Sequence, residues 1–194
     1  MRRQYLSAPL PFQGQKRMFA KEFIKVLKHY QDDAVFVDLF GGSGLLSHIT
    51  KCQKPDATVR KCNYDLCLDY LDGLEVVSCD YRELFSRYKD VPNVVFLIDP
   101  PYLSTEVGTY TMNWGLSDYL DVLQTLVGTN YIYFTSNKSS IIELCDWMGR
   151  NNTIGNPFTG SKKVEFNARM NYNSSYTDIM LFKDADGTEY KEAV

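Results

Sequence analysis

Val94-Val95-Phe96-Leu97-Ile98 runs directly into Asp99-Pro100-Pro101-Tyr102, and this stretch decides how the chain folds around a candidate site. The apolar run is short and rich in branched side chains, which is typical of a strand buried on both faces. The two prolines end that strand because they cannot donate backbone hydrogen bonds to a sheet or a helix. One planar amino group could then donate to the Asp99 carboxylate and the Pro100 carbonyl, beside the ring of Tyr102. This suits a flat molecule with an exocyclic amine, and a plain proline-rich turn explains the residues equally well.

A second apolar stretch, residues 34–37, leads into Asp38-Leu39-Phe40-Gly41-Gly42-Ser43-Gly44 and then into a helical pattern. Strand, glycine turn and helix are the layout of a nucleotide-type site in an open α/β sheet. The glycines permit close approach of the backbone to a ligand, and the helix start favours an anionic group such as a carboxylate. The G-G-x-G spacing differs from the dinucleotide pattern, and a phosphate loop would need Gly-Lys-Ser/Thr, so ATP is disfavoured. A turn of this kind also occurs where a helix simply packs on a sheet.

Length and composition describe one ordinary folded domain, which we expect to span residues 1–194. With 194 residues, 44% of them hydrophobic, the chain can bury a sizeable core, and no apolar run approaches the length of a membrane span. The net charge of −3 argues against a strongly basic nucleic-acid binder. The five cysteines include no Cys-x-x-Cys pair and there are only two histidines, so we expect no metal site and reduced thiols in the cytoplasm.

Apolar runs alternate with helical patterns along most of the chain, which predicts an α/β protein with a doubly wound, mostly parallel sheet. The predicted strands are 34–38, 57–63, 75–79, 94–98, 131–136, 163–169 and 176–182. The predicted helices are 15–31, 45–51, a short one after Asp65, 81–88, one capped by Ser117, and 138–148. The last two strands bracket a polar turn, so we expect an antiparallel hairpin at one edge of the sheet.

Acidic residues follow four of the predicted strands: Asp38, Asp65, Asp80 and Asp99. In such a sheet, ligands bind outside the carboxyl ends of the strands, where the strand order reverses. Asp65 lies about 20 residues beyond the glycine turn, where an acid that binds ribose hydroxyls is expected. Each of these acids could instead cap a helix, and the capping interpretation is strong for Asp80. Four acids at one edge are harder to explain as caps.

With the segments 38–44 and 99–102 in this order, the chain resembles the Dam-like adenine-specific DNA methyltransferases. The resemblance runs from about Pro11 to Phe182 and includes three further matches. Pro11-Phe12-Gln13-Gly14-Gln15-Lys16 is similar to that family's N-terminal motif, Asp80 takes the place of its adenine-contacting acid, and Phe134-Thr135-Ser136-Asn137 is similar to its Ser-Asn segment. The resemblance implies a Rossmann-like methyltransferase fold with a seven-stranded sheet, and S-adenosylmethionine as cofactor. It implies methyl transfer to the N6 amine of adenine.

The resemblance also implies roles for particular residues. The catalytic residues would be Asp99, Pro100, Pro101 and Tyr102. The cofactor would contact Gln15, Lys16, Asp38, Phe40, Gly41, Gly42, Gly44, Asp65, Asp80 and Asp99. The substrate would contact Tyr102, Tyr110, Trp114, Asn137 and Arg169, with the two aromatic residues 110 and 114 either covering a flipped base or packing as a lid. Because the amine needs no prior deprotonation, neither a metal nor a histidine base is required.

One departure from that family concerns target recognition. Strands and helices fill the interval 45–98, so little of the chain is left to read a base sequence. The candidate contacts to nucleic acid are residues 103–114, the loop 151–163 and the turn 171–175, with Arg169 or Lys162 at phosphates. We therefore expect relaxed specificity or a partner that reads the site, a phage, mobile-element or restriction–modification setting, and a monomer by default. An RNA adenine methyltransferase and a catalytically reduced nucleic-acid-binding module remain the alternatives.

Overall fold

A computed structural model describes residues 6, 8, 16–55, 58–62, 70–103, 114–151, 155–171 and 174–184. These residues form a sheet of seven strands, preceded by a single 3₁₀ turn at Arg17–Phe19. The strands are β1 Val35–Asp38, β2 Thr58–Cys62, β3 Glu75–Val77, β4 Val94–Ile98, β5 Asn130–Ser136, β6 Lys162–Asn171 and β7 Ser174–Lys183. The helices are α1 Ala20–Leu27, α2 Leu45–Gln53, α3 Tyr81–Tyr88, α4 Leu116–Leu126 and α5 Ile141–Asn151.

The strand order is β3-β2-β1-β4-β5-β7-β6. The first five strands in that order pair in parallel, and β7 pairs antiparallel with both β5 and β6. This confirms the predicted doubly wound sheet with an antiparallel hairpin from the end of the chain. The order reverses between β1 and β4, so the switch point lies where these neighbouring strands end. Asp38 and Asp99 follow from those two ends, which brings the two sequence motifs together.

The central strands are buried on both faces because helices cover each side of the sheet. In β4, Val95 and Leu97 pack on the layer that contains α1 and α2, and Phe96 and Ile98 pack on the layer that contains α3, α4 and α5. All five residues of the strand are buried, as its apolar run predicts. Full burial of each large apolar side chain contributes about 1.5–3 kcal/mol, which makes the switch point a rigid platform.

Two predicted helix boundaries are wrong. The helix predicted from 15 to 31 is a 3₁₀ turn followed by α1, which ends at Leu27. The chain turns inward there, and the Tyr30 hydroxyl donates to the carbonyl oxygens of Tyr131 and Lys183, both at 3.2 Å. The cap of α4 is Gly115 rather than Ser117, because the Asp118 carboxylate accepts from the Gly115 amide at 2.9 Å. The short helix predicted after Asp65 lies outside the described residues.

None of the helices in the described part of the chain combines the length and apolar character that crossing a membrane requires.

Candidate active site

The glycine turn prepares the start of α2 to hold a ligand. Gly44 has a φ of +72°, a left-handed conformation that glycine adopts at no steric cost. Its amide donates to the Gly41 carbonyl at 2.6 Å, which closes the turn against the end of β1. The N-cap of α2 is Gly44, which has no side chain, so among the described residues the helix start is left open toward an anionic group.

Asp38 anchors this turn from below. Its side chain is only 2% exposed, and it accepts hydrogen bonds from the Ser47 hydroxyl at 2.6 Å and the Phe40 amide at 3.3 Å. The first bond joins the end of β1 to α2, and the second shapes the turn. Asp38 therefore holds the backbone that a ligand would meet, and its oxygens already have partners inside the protein.

Asp99 stands at the corresponding end of β4 and has a different partner. The Lys16 ammonium lies 2.7 Å from its Oδ2 atom, and the exposed fractions of the two side chains are 9% for Lys16 and 21% for Asp99. The same ammonium lies 5.4 Å from the ring centroid of Tyr102 and 6.0 Å from that of Phe134. Burial raises the pKa of Asp99, and the charge and hydrogen bond of Lys16 act in the opposite direction. Lys16 thus opposes the protonation that burial favours.

The two strand ends open onto one cleft. Its lining residues come from the glycine turn, the first turn of α2 and the ion pair: Lys16, Asp38, Phe40, Gly41, Gly42, Ser43, Leu45, Leu46 and Asp99. Six of the predicted site residues therefore meet at one place. The cleft offers backbone amides for an anionic group, apolar side chains for a hydrophobic body and one carboxylate at its end. That set of groups fits S-adenosylmethionine, which carries a carboxylate, an adenine and a positively charged sulfonium.

The Asp99-Pro100-Pro101-Tyr102 segment leaves β4 with its two prolines buried and Tyr102 partly exposed. Burial, followed by the charges of Asp99 and Asp178, raises the pKa of the Tyr102 hydroxyl, so this side chain stays neutral. Asp178 was not predicted as a site residue. It lies opposite Ser136 in the β5–β7 pairing, and a charged residue directly before the apolar run 179–182 was the available signal.

Trp114 packs on the cofactor side of the cleft rather than over Tyr102. Its ring lies 5.6 Å from Phe40, 5.8 Å from Tyr81 in a stacked arrangement, and 5.4 Å from Tyr119. Burial raises the pKa of Tyr81 to about 12, so its hydroxyl is neutral within this aromatic cluster. The geometry favours the packing interpretation of Trp114, and its contact with a base stays a prediction.

An exposed ion network outside the predicted set holds this aromatic cluster in place. Arg82 lies on α3 and donates to Asp121 at 2.8 and 3.0 Å and to Asp118 at 2.7 Å. Asp118 in turn accepts from the Gly115 amide, directly after Trp114. The network therefore ties the beginning of α3 to the beginning of α4.

Two other predicted residues have structural partners. Asp80 caps α3 by accepting from the Arg82 amide at 2.8 Å, as the capping interpretation predicts. Asn137 makes two hydrogen bonds with the backbone of Thr177. Its side-chain oxygen accepts from the Thr177 N–H at 2.8 Å, and its own backbone N–H donates to the Thr177 carbonyl at 2.9 Å. These bonds hold β7 against the end of β5, and the proposed ligand contacts of both residues stay predictions.

The side chains of four further predicted residues lie outside the description. Gln15, Asp65 and Tyr110 lie outside the described residues. Arg169 pairs with Ser175 in the hairpin, beyond the level at which Asp178 meets Ser136, and its side chain is outside the description.

One predicted contact surface is wrong. Lys162 pairs with Phe182, which in turn pairs with Ile132 near the beginning of β5. Lys162 and the described loop residues 155–161 therefore lie at the end of the sheet where the parallel strands begin, and the cleft lies at the end where β1 and β4 finish. They cannot contact phosphates next to the site, because α5 carries the chain back across the sheet before β6 begins. Residues 172 and 173 of the turn 171–175 lie outside the described residues; the flanking pair Asn171 and Ser174 lies beyond the level at which Asp178 meets Ser136, and contact with nucleic acid there stays a prediction.

Comparisons with known proteins agree with this fold. A protein of Haemophilus influenzae described as “Putative methyltransferase” is 27% identical and matches 94% of each chain. The SAM-dependent methyltransferase of Agrobacterium tumefaciens superposes with a TM-score of 0.54 at 14% identity, over 86% of this chain. The present chain spans only 61% of that structure. A “putative RNA methyltransferase” of Pyrococcus horikoshii gives a TM-score of 0.54 at 14% identity, over 90% of this chain and 88% of its own. No family model matches the chain.

The chain has the α/β fold that these two methyltransferase structures share. Its cleft has groups that fit S-adenosylmethionine.

Proposed function

We propose that the protein transfers a methyl group from S-adenosylmethionine to the exocyclic N6 amine of adenine, with DNA as the substrate. The observation that carries this proposal is the position of Asp99, whose partly exposed carboxylate ends β4 on the same cleft as the glycine turn. An acceptor at this point lies between a cofactor pocket on one side and the ring of Tyr102 on the other. The resemblance to the Dam-like enzymes, in which Asp begins the tetrad, supports adenine as the base.

The cofactor side of the cleft has groups suited to each part of S-adenosylmethionine. The uncapped first turn of α2 would bind the carboxylate of its methionine end, and Phe40 with Tyr81 offers ring faces near the adenine. Asp38 would support this binding by holding the turn, since its oxygens accept hydrogen bonds from the Ser47 hydroxyl and the Phe40 amide. When bound, the cofactor supplies a methyl group on a positively charged sulfur.

On the acceptor side, the chain's own residues bind and orient the base. Extraction of an adenine from a duplex costs roughly a few kcal/mol. Stacking of the base on Tyr102 would offset this cost by about 1–3 kcal/mol, the stabilisation typical of one base on an aromatic side chain. Asp99 and the Pro100 carbonyl accept hydrogen bonds from the two amine protons, which directs the nitrogen lone pair toward the cofactor pocket.

The reaction balances without a metal or a separate base. The adenine nitrogen would form its new bond to the methyl carbon as the carbon–sulfur bond breaks, and the thioether product would leave with the electron pair of the broken bond. The nitrogen would become positively charged and then lose one proton, which the Asp99 carboxylate could accept. A preorganised negative charge at Asp99 stabilises that developing positive charge.

RNA is the second candidate substrate. A protein with an RNA methyltransferase description shares the fold over most of both chains, and a pocket for a flipped adenine would be the same for either nucleic acid. We also propose that the chain forms a single catalytic domain with little or no separate region for target recognition, so a partner would read the site. The end of the β6–β7 hairpin, flanked by Asn171 and Ser174, is the candidate for contact with the nucleic-acid backbone.

The test is a methyl-transfer assay with labelled S-adenosylmethionine and unmethylated duplex DNA, single-stranded DNA and RNA in parallel. Each product is digested to nucleosides and separated. Label in N6-methyldeoxyadenosine supports the proposal, and label only in N6-methyladenosine transfers it to RNA. Label in another nucleoside, or in none, overturns the adenine proposal.

Two variants serve as controls. Asp99→Ala removes the proposed acceptor, and Glu83→Gln removes an exposed carboxylate that pairs only with Arg87 among its described ion pairs. Binding of S-adenosylhomocysteine by isothermal titration calorimetry shows whether each variant keeps its cofactor pocket. A wild-type protein that binds this product and labels no nucleic acid would support the binding-module alternative.

A further inference from the structure

The Lys16–Asp99 ion pair creates a problem for any substrate amine. Lys16 lies 2.7 Å from the Asp99 Oδ2 atom and is only 9% exposed, so its ammonium is poorly hydrated. An amine that binds Asp99 competes with this ammonium for the same carboxylate. A lysine released into a buried site without a new anionic partner would pay a large desolvation penalty.

Asp178 is the described carboxylate that sits in position to solve this problem. In the β5–β7 pairing, Met180 lies opposite Phe134, and Asp178 lies opposite Ser136. Side chains two residues apart on a strand share a face, so Asp178 is on the same face of the sheet as Phe134. Lys16 lies on that face too, with its ammonium 6.0 Å from the Phe134 ring centroid.

We propose that Asp178 is a positioning residue that receives the Lys16 ammonium when a substrate amine binds Asp99, so that one lysine serves two carboxylates in turn. The inference rests on the proposed function, because it assigns Asp99 to the substrate amine. It adds a residue of β7 to the acceptor site and makes Lys16 a group that moves between two partners.

The electrostatics of the three groups agree with this arrangement. Burial raises the pKa of Asp178, the Lys16 charge opposes that rise, and the charge of Asp99 adds to it. The two carboxylates therefore repel each other and share one cation. Among the described residues, the other titratable groups near the two carboxylates are neutral hydroxyls whose pKa values are raised chiefly by burial: Tyr102 and Tyr176, and also Tyr133, which lies on the opposite face of β5. The Lys138 ammonium lies farther out, 4.9 Å from the Tyr176 ring centroid.

A double-mutant cycle tests the transfer of Lys16. We expect Asp178→Asn to lower kcat about tenfold in the wild-type background, the range found for coupled charged neighbours, with unchanged affinity for S-adenosylhomocysteine. In a Lys16→Met background, Asp178→Asn should have no further effect, because there is no ammonium left to receive. An equal loss in both backgrounds would give Asp178 a merely structural role and overturn the proposal.

A second measurement does not depend on turnover. The carboxyl carbons of the cofactor-free protein, labelled with ¹³C-aspartate, are titrated by NMR, and the Asp99 signal is assigned by its loss in Asp99→Asn. The proposal expects Lys16→Met to raise the Asp99 midpoint and Asp178→Asn to lower it. An Asp99 midpoint that Asp178→Asn leaves in place would overturn the coupling on which the proposal stands.

Matched controls separate the two proposals. Lys25→Met and Glu83→Gln remove exposed charges on α1 and α3, and both should leave the Asp99 midpoint and kcat unchanged. If the wild-type protein transfers no methyl group, the proposed function fails and the NMR titration alone decides whether the three charges are coupled.

Discussion

The ends of β1 and β4 are neighbours in the sheet, and each leads into an aspartate, but the two carboxylates are used differently. Asp38 is almost fully buried and accepts hydrogen bonds from the Ser47 hydroxyl on α2 and from the Phe40 amide of its own turn. Asp99 is one-fifth exposed and binds the end of a long, flexible lysine. The partners of Asp38 lie on a rigid helix and on its own turn, whereas the partner of Asp99 is the end of a flexible side chain that the proposed substrate amine would displace. The comparison separates a residue that builds the site from one that we propose to bind the substrate.

The largest expected effect breaks the comparison at β4. Asp99→Ala should lower methyl transfer by roughly 10²–10³-fold, the typical loss when one preorganised group that stabilises developing charge is removed. The affinity for S-adenosylhomocysteine should change little, because the glycine turn stays intact. Steady-state kinetics and calorimetric binding measure the two quantities. Turnover that survives the substitution would contradict the role of Asp99.

At the end of β1, substitution of Asp38 should lower the free energy of unfolding. Asp38→Ala leaves the buried Ser47 hydroxyl without its acceptor, which costs about 1–3 kcal/mol of the free energy of unfolding. Urea denaturation measures this loss. Asp99→Ala is the comparison variant and should be destabilised less; the opposite ranking would invalidate the distinction between the two aspartates.

The glycine turn sharpens the same comparison with a smaller change. Gly44→Ala forces a side chain into the left-handed region at φ +72° and should cost about 1–2 kcal/mol, with weaker binding of S-adenosylhomocysteine. Gly115→Ala is the matched control, since its φ is −95° and the nearest atoms to an added Cβ lie at 3.8 Å. Thermal denaturation and calorimetry compare the two variants, and equal losses would remove the special role of the turn.

The smallest effect concerns the second carboxylate near β4. Because the pKa of Asp178 is raised in the folded protein, the folded state holds the proton more tightly than the unfolded chain. The free energy of unfolding of the wild-type protein therefore falls as the pH rises through that pKa, and Asp178→Asn escapes this fall. We expect the variant to be more stable at neutral pH by less than about 1 kcal/mol, since the group is only partly buried. Urea denaturation should show no difference between the two proteins in acid.

Much of the fold could be predicted because its signals are local. The apolar runs of β1, β4 and β5, the glycine turn and the proline pair each identify an element within a few residues. The predicted end of the first helix was wrong because a distant contact intervened. The Tyr30 hydroxyl donates to carbonyls of β5 and β7 and draws the chain inward. The predicted cap of α4 was wrong for a different reason. Both Ser117 and Gly115 are acceptable caps, and the hydrogen bond from the Gly115 amide to the Asp118 side chain favours Gly115.

The site divides in the same way. The order of elements and the two motifs at the switch point could be predicted, because periodicity, glycine and proline act through the local backbone. Three placements came from tertiary contacts: Lys16 binds Asp99, Asp178 lies on the same face of the sheet as Lys16, and Lys162 lies at the end of the sheet away from the cleft. Those placements depend on strand order and register, which bring together residues that are far apart in the chain.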